Sequence, residues 1–266
     1  MPNSDSNTLI DKGYIAVKKS RYGYMTYNKN DIYVGKSFDL YGEFSYLEAV
    51  LFEQIVKPQH VVLDVGANIG AFTLLFSQLV GVKGRVLAFE PQRIVHQMLC
   101  ANVALNALMN VDVYHACVGS TDEIVDVVEL NPYISNNFGG ISMDLAHTAG
   151  SPVPTLLIDT LPLNRCDFMK IDVEGMEEQV LRGAVKTLQT FRPLLYIEND
   201  RKEKSASLID FVRSQGYRIF SHTPALYNPQ NFFQCSVNVF GNIVSKNILC
   251  VPKESDIRVE GLVELC

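Results

Sequence analysis

Along the chain, short β-branched apolar runs alternate with stretches whose apolar residues recur every three to four positions. VVLDV (61–65), RVLAFE (85–90), VDVYHACV (111–118), FMKIDV (168–173), LLYIE (194–198), YRIF (217–220) and NILCV (247–251) have the length and composition of buried strands. Helical spacing links Phe44, Leu47, Val50, Leu51 and Ile55, and Pro58 closes that segment. It returns over about 70–80, after Pro91, across Met176, Val180, Leu181, Val185 and Leu188, and around Ser207 to Ser214. Strands alternating with helices predict a parallel sheet with crossover helices, and seven strands make one doubly wound α/β domain spanning 43–266. Upstream, residues 22–41 are rich in Tyr, Phe, Ile and Val, with Asn28-Lys29-Asn30-Asp31 reading as a hairpin turn, so 1–42 is expected to form an N-terminal β-hairpin and cap. The stretch from Asn131 to Pro154 collects turn formers. A loop of that length is expected to be functional or disordered, with Asn137-Phe138-Gly139-Gly140 as a candidate lid.

Composition narrows the function. The 266 residues are 47% hydrophobic and 20% charged, enough for one substantial core. Lys plus Arg is 23 against 29 Asp plus Glu, a formal charge of -6, which gives no basic field for a polyanion and argues against a nucleic-acid partner. The apolar stretch from Ala71 to Val82 is interrupted by Ser77 and Gln78 and falls short of the roughly 20 residues of a membrane helix. The polar start MPNSDSNTLIDKG lacks the pattern of a secretory signal, so a cytoplasmic protein is expected. Neither the six scattered cysteines nor the five histidines have the spacing of a disulfide framework or a zinc site.

The chemistry concentrates in HVVLDVGANIGAFTLLF (60–76), an apolar strand ending in Asp64, a turn with Gly66 and Gly70, and an apolar helix. Glycine permits close approach of a ligand to the backbone, and the helix start directs free N–H groups at the same crevice. The next strand ends at Glu90, placed to accept ribose hydroxyls. A dinucleotide turn requires G-x-G-x-x-G. Here Asn68 stands at the second glycine position and Phe72 follows, which disfavours a pyrophosphate. Asp64 suits instead a cofactor with a cationic amino-acid end, as in S-adenosylmethionine. An NAD-dependent oxidoreductase is the rival enzyme, favoured only by Glu90, and a non-catalytic binding module is the rival from another class.

DVGANIGAFT (64–73), AFEP (88–91), FMKIDVEGMEEQVLRGA (168–184) and RPLLYIEND (192–200) together resemble the FkbM family of S-adenosylmethionine-dependent methyltransferases, over roughly residues 40–252. The resemblance implies a class I methyltransferase fold, Rossmann-like, with a seven-stranded sheet and an antiparallel last strand. It also implies O-methylation of a sugar, glycolipid or natural-product hydroxyl, hence a small-molecule or glycan acceptor. By position, Asp64, Gly66, Asn68 and Gly70 match the cofactor turn, Glu90 the ribose-binding acid, and Asp172, Glu174 and Gly175 the D-V-E-G block beside the transferred methyl, with Asp172 also toward the cofactor. At the end of the third strand Ala116-Cys117-Val118 offers no acid for adenine. His222, Glu174 and Asp172, in that order, are the candidate general bases, a neutral imidazole being suited to pH 7. Glu198, His222 and Asn137 are the candidate acceptor-binding residues. No ligand spacing diagnostic of a metal is present, so metal-independent catalysis is expected.

Overall fold

The computed structural model describes residues 7–140 and 150–265. The chain opens with an antiparallel meander, β1 (Thr8–Lys12), β2 (Ile15–Ser20) and β3 (Gly23–Asn28), followed by helices α1 (Val34–Tyr41) and α2 (Tyr46–Ile55). A parallel unit comes next: β4 (Val61–Val65), α3 (Ala71–Val80), β5 (Arg85–Phe89), α4 (Arg93–Leu105) and β6 (Val111–Tyr114). β7 (Cys117–Val118), β8 (Ile124–Val128) and β9 (Gly150–Leu156) form a small side sheet. The chain then returns through β10 (Phe168–Ile171), α5 (Glu177–Arg182), α6 (Val185–Phe191), β11 (Leu194–Glu198), α7 (Lys202–Ser214), β12 (Tyr217–His222), β13 (Asn247–Pro252) and β14 (Val263–Glu264).

The main sheet runs β14-β12-β13-β11-β10-β4-β5-β6. Strands β4, β5, β6, β10 and β11 are parallel, and β13 inserts antiparallel between β11 and β12. This is the expected seven-stranded doubly wound sheet with its antiparallel last strand, extended by β14 on the β12 edge. Strand order reverses between β4 and β10, which opens a crevice at their carboxyl ends. Period-two alternation sorts the core. Leu63, Val65, Met169, Ile171, Leu195 and Ile197 face Val180, Leu181, Leu208 and Val212 of α5 and α7. On the other face Val62, Val86, Phe168 and Tyr196 meet Phe52 of α2 and Phe72 and Phe76 of α3. Among the described residues no helix is long and apolar enough to cross a membrane.

Four local expectations need correction. Asn28 to Asp31 is not a hairpin turn: Asp31 accepts the Tyr33 N–H and stands at the entry to α1, a role its short carboxylate fills as readily as a turn. The true turns lie on either side of β2. VDVYHACV is two strands, because His115 turns aside to donate to the Pro91 carbonyl and Cys117–Val118 pairs with β9 instead. Part of the expected long loop is β9, antiparallel to β8, and 141–149 lie outside the described residues. The helix after FMKIDV breaks at Gly183, where a side chain would strike the Gly119 carbonyl.

Asn102 lies in the last turn of α4 and Asn106 just beyond it. Asn106 is the last-turn cap, and the two amides also pair with the free edge of β3. Asn102 accepts from Thr26 N and donates to Thr26 O, while Asn106 does the same at Tyr24. Four helical residues rise about 6 Å and two strand residues about 6.6 Å, so the amides match the strand repeat.

Candidate active site

The cofactor-type turn is built on backbone conformations that side chains resist. Gly66 (φ 76°), Asn68 (φ 52°) and Gly70 (φ 91°) are all left-handed. At Gly66 a side chain would collide with the Asp172 carbonyl of the neighbouring strand end, so only glycine lets β4 and β10 come together here. Asn68 tolerates its φ by accepting the Ile69 N–H on its own Oδ1. Glu90, at the end of β5, closes the turn: Oε2 accepts Asn68 N at 3.0 Å and Oε1 accepts Gln92 N at 2.8 Å. Burial pushes its pKa up to about 7, against the pull of those two donors.

Asp64 lies beneath this turn rather than in the crevice. It is fully buried, accepts the Thr73 hydroxyl at 2.6 Å on Oδ2, and leaves Oδ1 without a hydrogen bond. Its counter-charge is Lys170 on β10, which sequence reasoning missed. Lys170 Nζ is 3.9 Å from Asp64 Oδ1, 3.0 Å from Asp172 Oδ2, and donates to the Gly66 carbonyl at 3.1 Å. One buried cation thus ties the turn to the end of β10. The carboxylates raise its pKa despite burial.

Beyond β10 the chain enters a tight turn with Glu174 (φ 56°) and Gly175 (φ 98°) both left-handed. Glu177 stabilises it by accepting Gly175 N at 2.9 Å and Val173 N at 3.3 Å, which ties the turn to the start of α5. Glu174 pairs with Arg201, and Asp172, Glu174 and Glu198 each bring a carboxylate oxygen within 4.8 Å of the others. Glu198 Oε2 has no hydrogen-bond partner, and burial beside Asp172, Glu174 and Asp200 pushes its pKa far above the usual carboxylate range. Burial and the Asp172 charge also raise Glu174, opposed by Arg201.

A cavity of about 730 Å³ opens over these strand ends, lined among others by Gly66, Glu90, Ala116, Cys117, Asp172 and Glu174. Asp64, Asn68, Gly70, Glu198, His222 and Asn137 are not on its wall. Asn137 accepts Gly139 N and Gly140 N and so shapes its own turn. That turn reaches the site through Gly139, on the cavity wall, and through the Phe138 carbonyl, which accepts the Gln92 amide at 2.6 Å. His222 ends β12 two strands from Glu198, with Asn247 opposite both in the register. Its Nδ1 is 2.8 Å from the Tyr196 hydroxyl, and burial lowers its pKa.

A family model for the methyltransferase FkbM domain matches residues 64–219. The chain belongs to the FkbM methyltransferase family. S-adenosylmethionine is accordingly its cofactor, which removes the oxidoreductase alternative. AMB antimetabolite synthetase AmbE of Pseudomonas aeruginosa is 26% identical over 225 residues, covering 68% of this chain and 10% of that protein. Hexuronic acid methyltransferase AglP of Haloferax volcanii is 27% identical over 152 residues, 57% of this chain and 60% of that one. The chain thus spans less than two-thirds of either relative. The crystal structure of the methyltransferase FkbM from Methylobacillus flagellatus KT superposes with a TM-score of 0.49 at 17% identity, over 77% of this chain and 50% of that one.

The residues present fit the cofactor. The cavity volume falls in the range that encloses a ligand of this size. Glu90 presents a buried carboxylate at the end of β5 that can accept hydroxyls such as those of a ribose, and Pro91, Gln92 and the residues Ala116 to Val118 line the same cavity, with room for a flat base. Gly66, Asp172 and Glu174 stand at the opposite wall, where the carboxylates suit an ammonium.

Proposed function

We propose that the protein transfers a methyl group to a hydroxyl of a sugar, glycolipid or natural-product acceptor. The observation that carries this reading is the cluster of Asp172, Glu174 and Glu198 beside the cofactor cavity, a set of carboxyl groups able to accept and donate hydrogen bonds to a polyhydroxylated ligand. The name of the hexuronic acid methyltransferase relative supports the same acceptor class.

S-adenosylmethionine supplies an electrophilic methyl when bound. Glu90 holds the ribose end, the Gly66 turn admits the backbone close to the ligand, and Asp172 and Glu174 orient the amino-acid end and the neighbouring acceptor. Glu198 and Asn137 belong to the acceptor side, and the segment up to residue 42 acts as the cap. Alignment of the acceptor oxygen and exclusion of water then account for most of the catalysis. The hydroxyl must also lose its proton. His222 is the base in this reading, because burial keeps it neutral near pH 7, and Glu174 is the next candidate.

The test is a screen of uronic acids, hexoses and glycolipids with isotopically labelled cofactor, followed by mass spectrometry. A labelled O-methyl ether supports the reading, and label found only on nitrogen, on carbon or on nucleic acid overturns it. With an acceptor in hand, His222→Ala is expected to lower kcat by about 10²- to 10⁴-fold at unchanged cofactor affinity.

A further inference from the structure

A second cavity, of about 540 Å³, opens at the rim of the main sheet opposite the candidate active site. Its wall carries His60, just before β4, Asp167, just before β10, Leu194, at the start of β11, and Pro252, at the end of the antiparallel β13. These are the amino ends of the parallel strands, whereas the cofactor cavity lies over their carboxyl ends. The two cavities share no wall residue, and methyl transfer at the other rim makes no use of this one. Its volume falls within the range of small-molecule sites, about 300–1,000 Å³.

The wall is held by side chains that are already engaged. Arg192 donates to Glu254 Oε1 at 2.5 Å and to the Gln215 and Gly216 carbonyls at 2.9 and 3.1 Å. Arg218 donates to the Ser255 and Ile257 carbonyls at 3.2 and 2.9 Å, so the segment after β13 is fastened in place. Asp167 joins β10 to β4, with Oδ2 accepting Val61 N at 2.8 Å while Oδ1 accepts Arg165 Nε at 2.7 Å.

The charges on this wall do not balance. Its two carboxylates, Asp167 and Glu254, are each paired with a guanidinium. Lys57 and Arg258 are exposed on the same wall and have no carboxylate partner among the described residues, Lys57 being bonded only to the Gln54 carbonyl. His60 adds a donor. Its Nδ1 accepts the Lys57 N–H at 3.2 Å, which puts the proton of the neutral ring on Nε2. The rest of the wall is largely apolar, with Ile55, Phe191, Leu194, Pro252 and Ile257.

Uncompensated cations and a ring N–H beside apolar surface are the complement of an anion with a hydrocarbon body. We propose that this cavity binds a small amphipathic anion, its carboxylate or phosphate head received by Lys57, Arg258 and His60 and its body lying on Phe191, Leu194 and Ile257. A bare anion would be held poorly, because ion pairs to exposed cations contribute little and the chain as a whole carries a formal charge of -6. Burial of the hydrocarbon supplies the affinity and the cations supply the selectivity. The cavity is separate from the cofactor site, so the proposal is independent of which acceptor is methylated.

The test is a ¹H–¹⁵N correlation titration of the full chain saturated with S-adenosylhomocysteine, the demethylated cofactor, which keeps probes out of the cofactor cavity. The probes are octanoate, octyl phosphate, octan-1-ol and acetate. Saturable amide shifts at residues 54–60 and 252–258 are expected with octanoate or octyl phosphate, the tighter of the two naming the head group. Acetate, lacking the chain, should bind about tenfold or more weakly than octanoate. The double variant Lys57→Met, Arg258→Met should raise the Kd of the anions by up to about fivefold for each charge removed and leave octan-1-ol unchanged. An unaltered affinity for S-adenosylhomocysteine checks that the variant is folded. Without any variant, added NaCl should weaken the anions relative to octan-1-ol. Shifts that are absent from both segments with either anion, or confined to other segments, overturn the proposal. So do octan-1-ol or acetate binding as tightly as octanoate, and a double variant that binds both anions as the wild type does.

Discussion

Glu90 combines a buried carboxylate with two backbone donors, and burial wins, lifting its pKa from 4.5 to about 7. A folded-state pKa above the unfolded one means that the contribution of Glu90 to stability is complete below about pH 4.5 and is lost as pH rises through 7. Ribose hydroxyls donate best to the ionised form, so cofactor affinity should run the other way. By calorimetry, the Kd for S-adenosylmethionine is expected to rise by up to about tenfold per pH unit as pH falls below 7. Glu90→Gln should flatten that dependence, and Glu90→Ala should weaken binding by roughly one to two orders of magnitude, the effect of losing about 1.5–3 kcal/mol of charged hydrogen bonding. Lys170 is the opposite case, a cation held by Asp64 and Asp172. Lys170→Met leaves these acids uncompensated and is expected to cost about 3–5 kcal/mol in chemical denaturation, partly restored by adding Asp64→Asn. Glu90 was legible in the sequence because it ends a strand at a set distance from the glycine turn. Lys170 shows there only as one charge in a strand that is otherwise apolar. Its partner emerges from the parallel register that sets Lys170 beside Asp64 and Tyr196, and no spacing along the chain encodes that register.

Between elements, two amides join the N-terminal meander to α4 alongside the apolar packing of Ala16, Met25 and Tyr27. Asn102 is fully buried and satisfies both backbone groups of Thr26 while donating to the Ile69 carbonyl in the cofactor turn. Asn102→Ala strands these groups and is expected to cost about 1–3 kcal/mol for each group left unsatisfied, whereas Asn106→Ala, nearer solvent, should cost less. Hydrogen exchange read by mass spectrometry should show β3 losing protection in Asn102→Ala ahead of the main sheet. Protection unchanged across residues 23–28 would remove this anchor. The central strands of the main sheet were legible because they are short apolar runs buried on two faces, whereas the exposed β14 at its edge carries no such run. Short polar tokens were not. N-K-N-D serves a turn or a helix entry equally well, and the helix pattern through Gly183 continues across a break set by the approach of the Gly119 carbonyl, a contact between segments distant in the chain.

Across the molecule, the alternation of strands and helices marks a parallel sheet with crossover helices, and the crevice lies where the observed strand order reverses between β4 and β10. The charge balance within the crevice does not, because it depends on which acids are brought together. Asp172, Glu174 and Glu198 come from β10, the turn after it and β11, and their oxygens are close enough for a divalent ion. The cations already present decide against one. Lys170 sits 3.0 Å from Asp172, Arg201 pairs with Glu174, and Glu198 is held protonated at neutral pH by burial and its acidic neighbours. A divalent ion would have to displace a buried lysine, detach an arginine and strip a proton from Glu198, and its affinity would fall as pH drops. Metal-independent catalysis is therefore expected, with EDTA leaving turnover unchanged and added Mg²⁺ or Mn²⁺ without effect on the melting temperature. Activity abolished by EDTA and restored by either ion would reverse this assignment. Glu198→Gln separates the two cases further: it keeps a group able to donate to an acceptor hydroxyl and should preserve cofactor affinity, whereas a site dependent on a metal would lose its third oxygen ligand and with it the response to the ion.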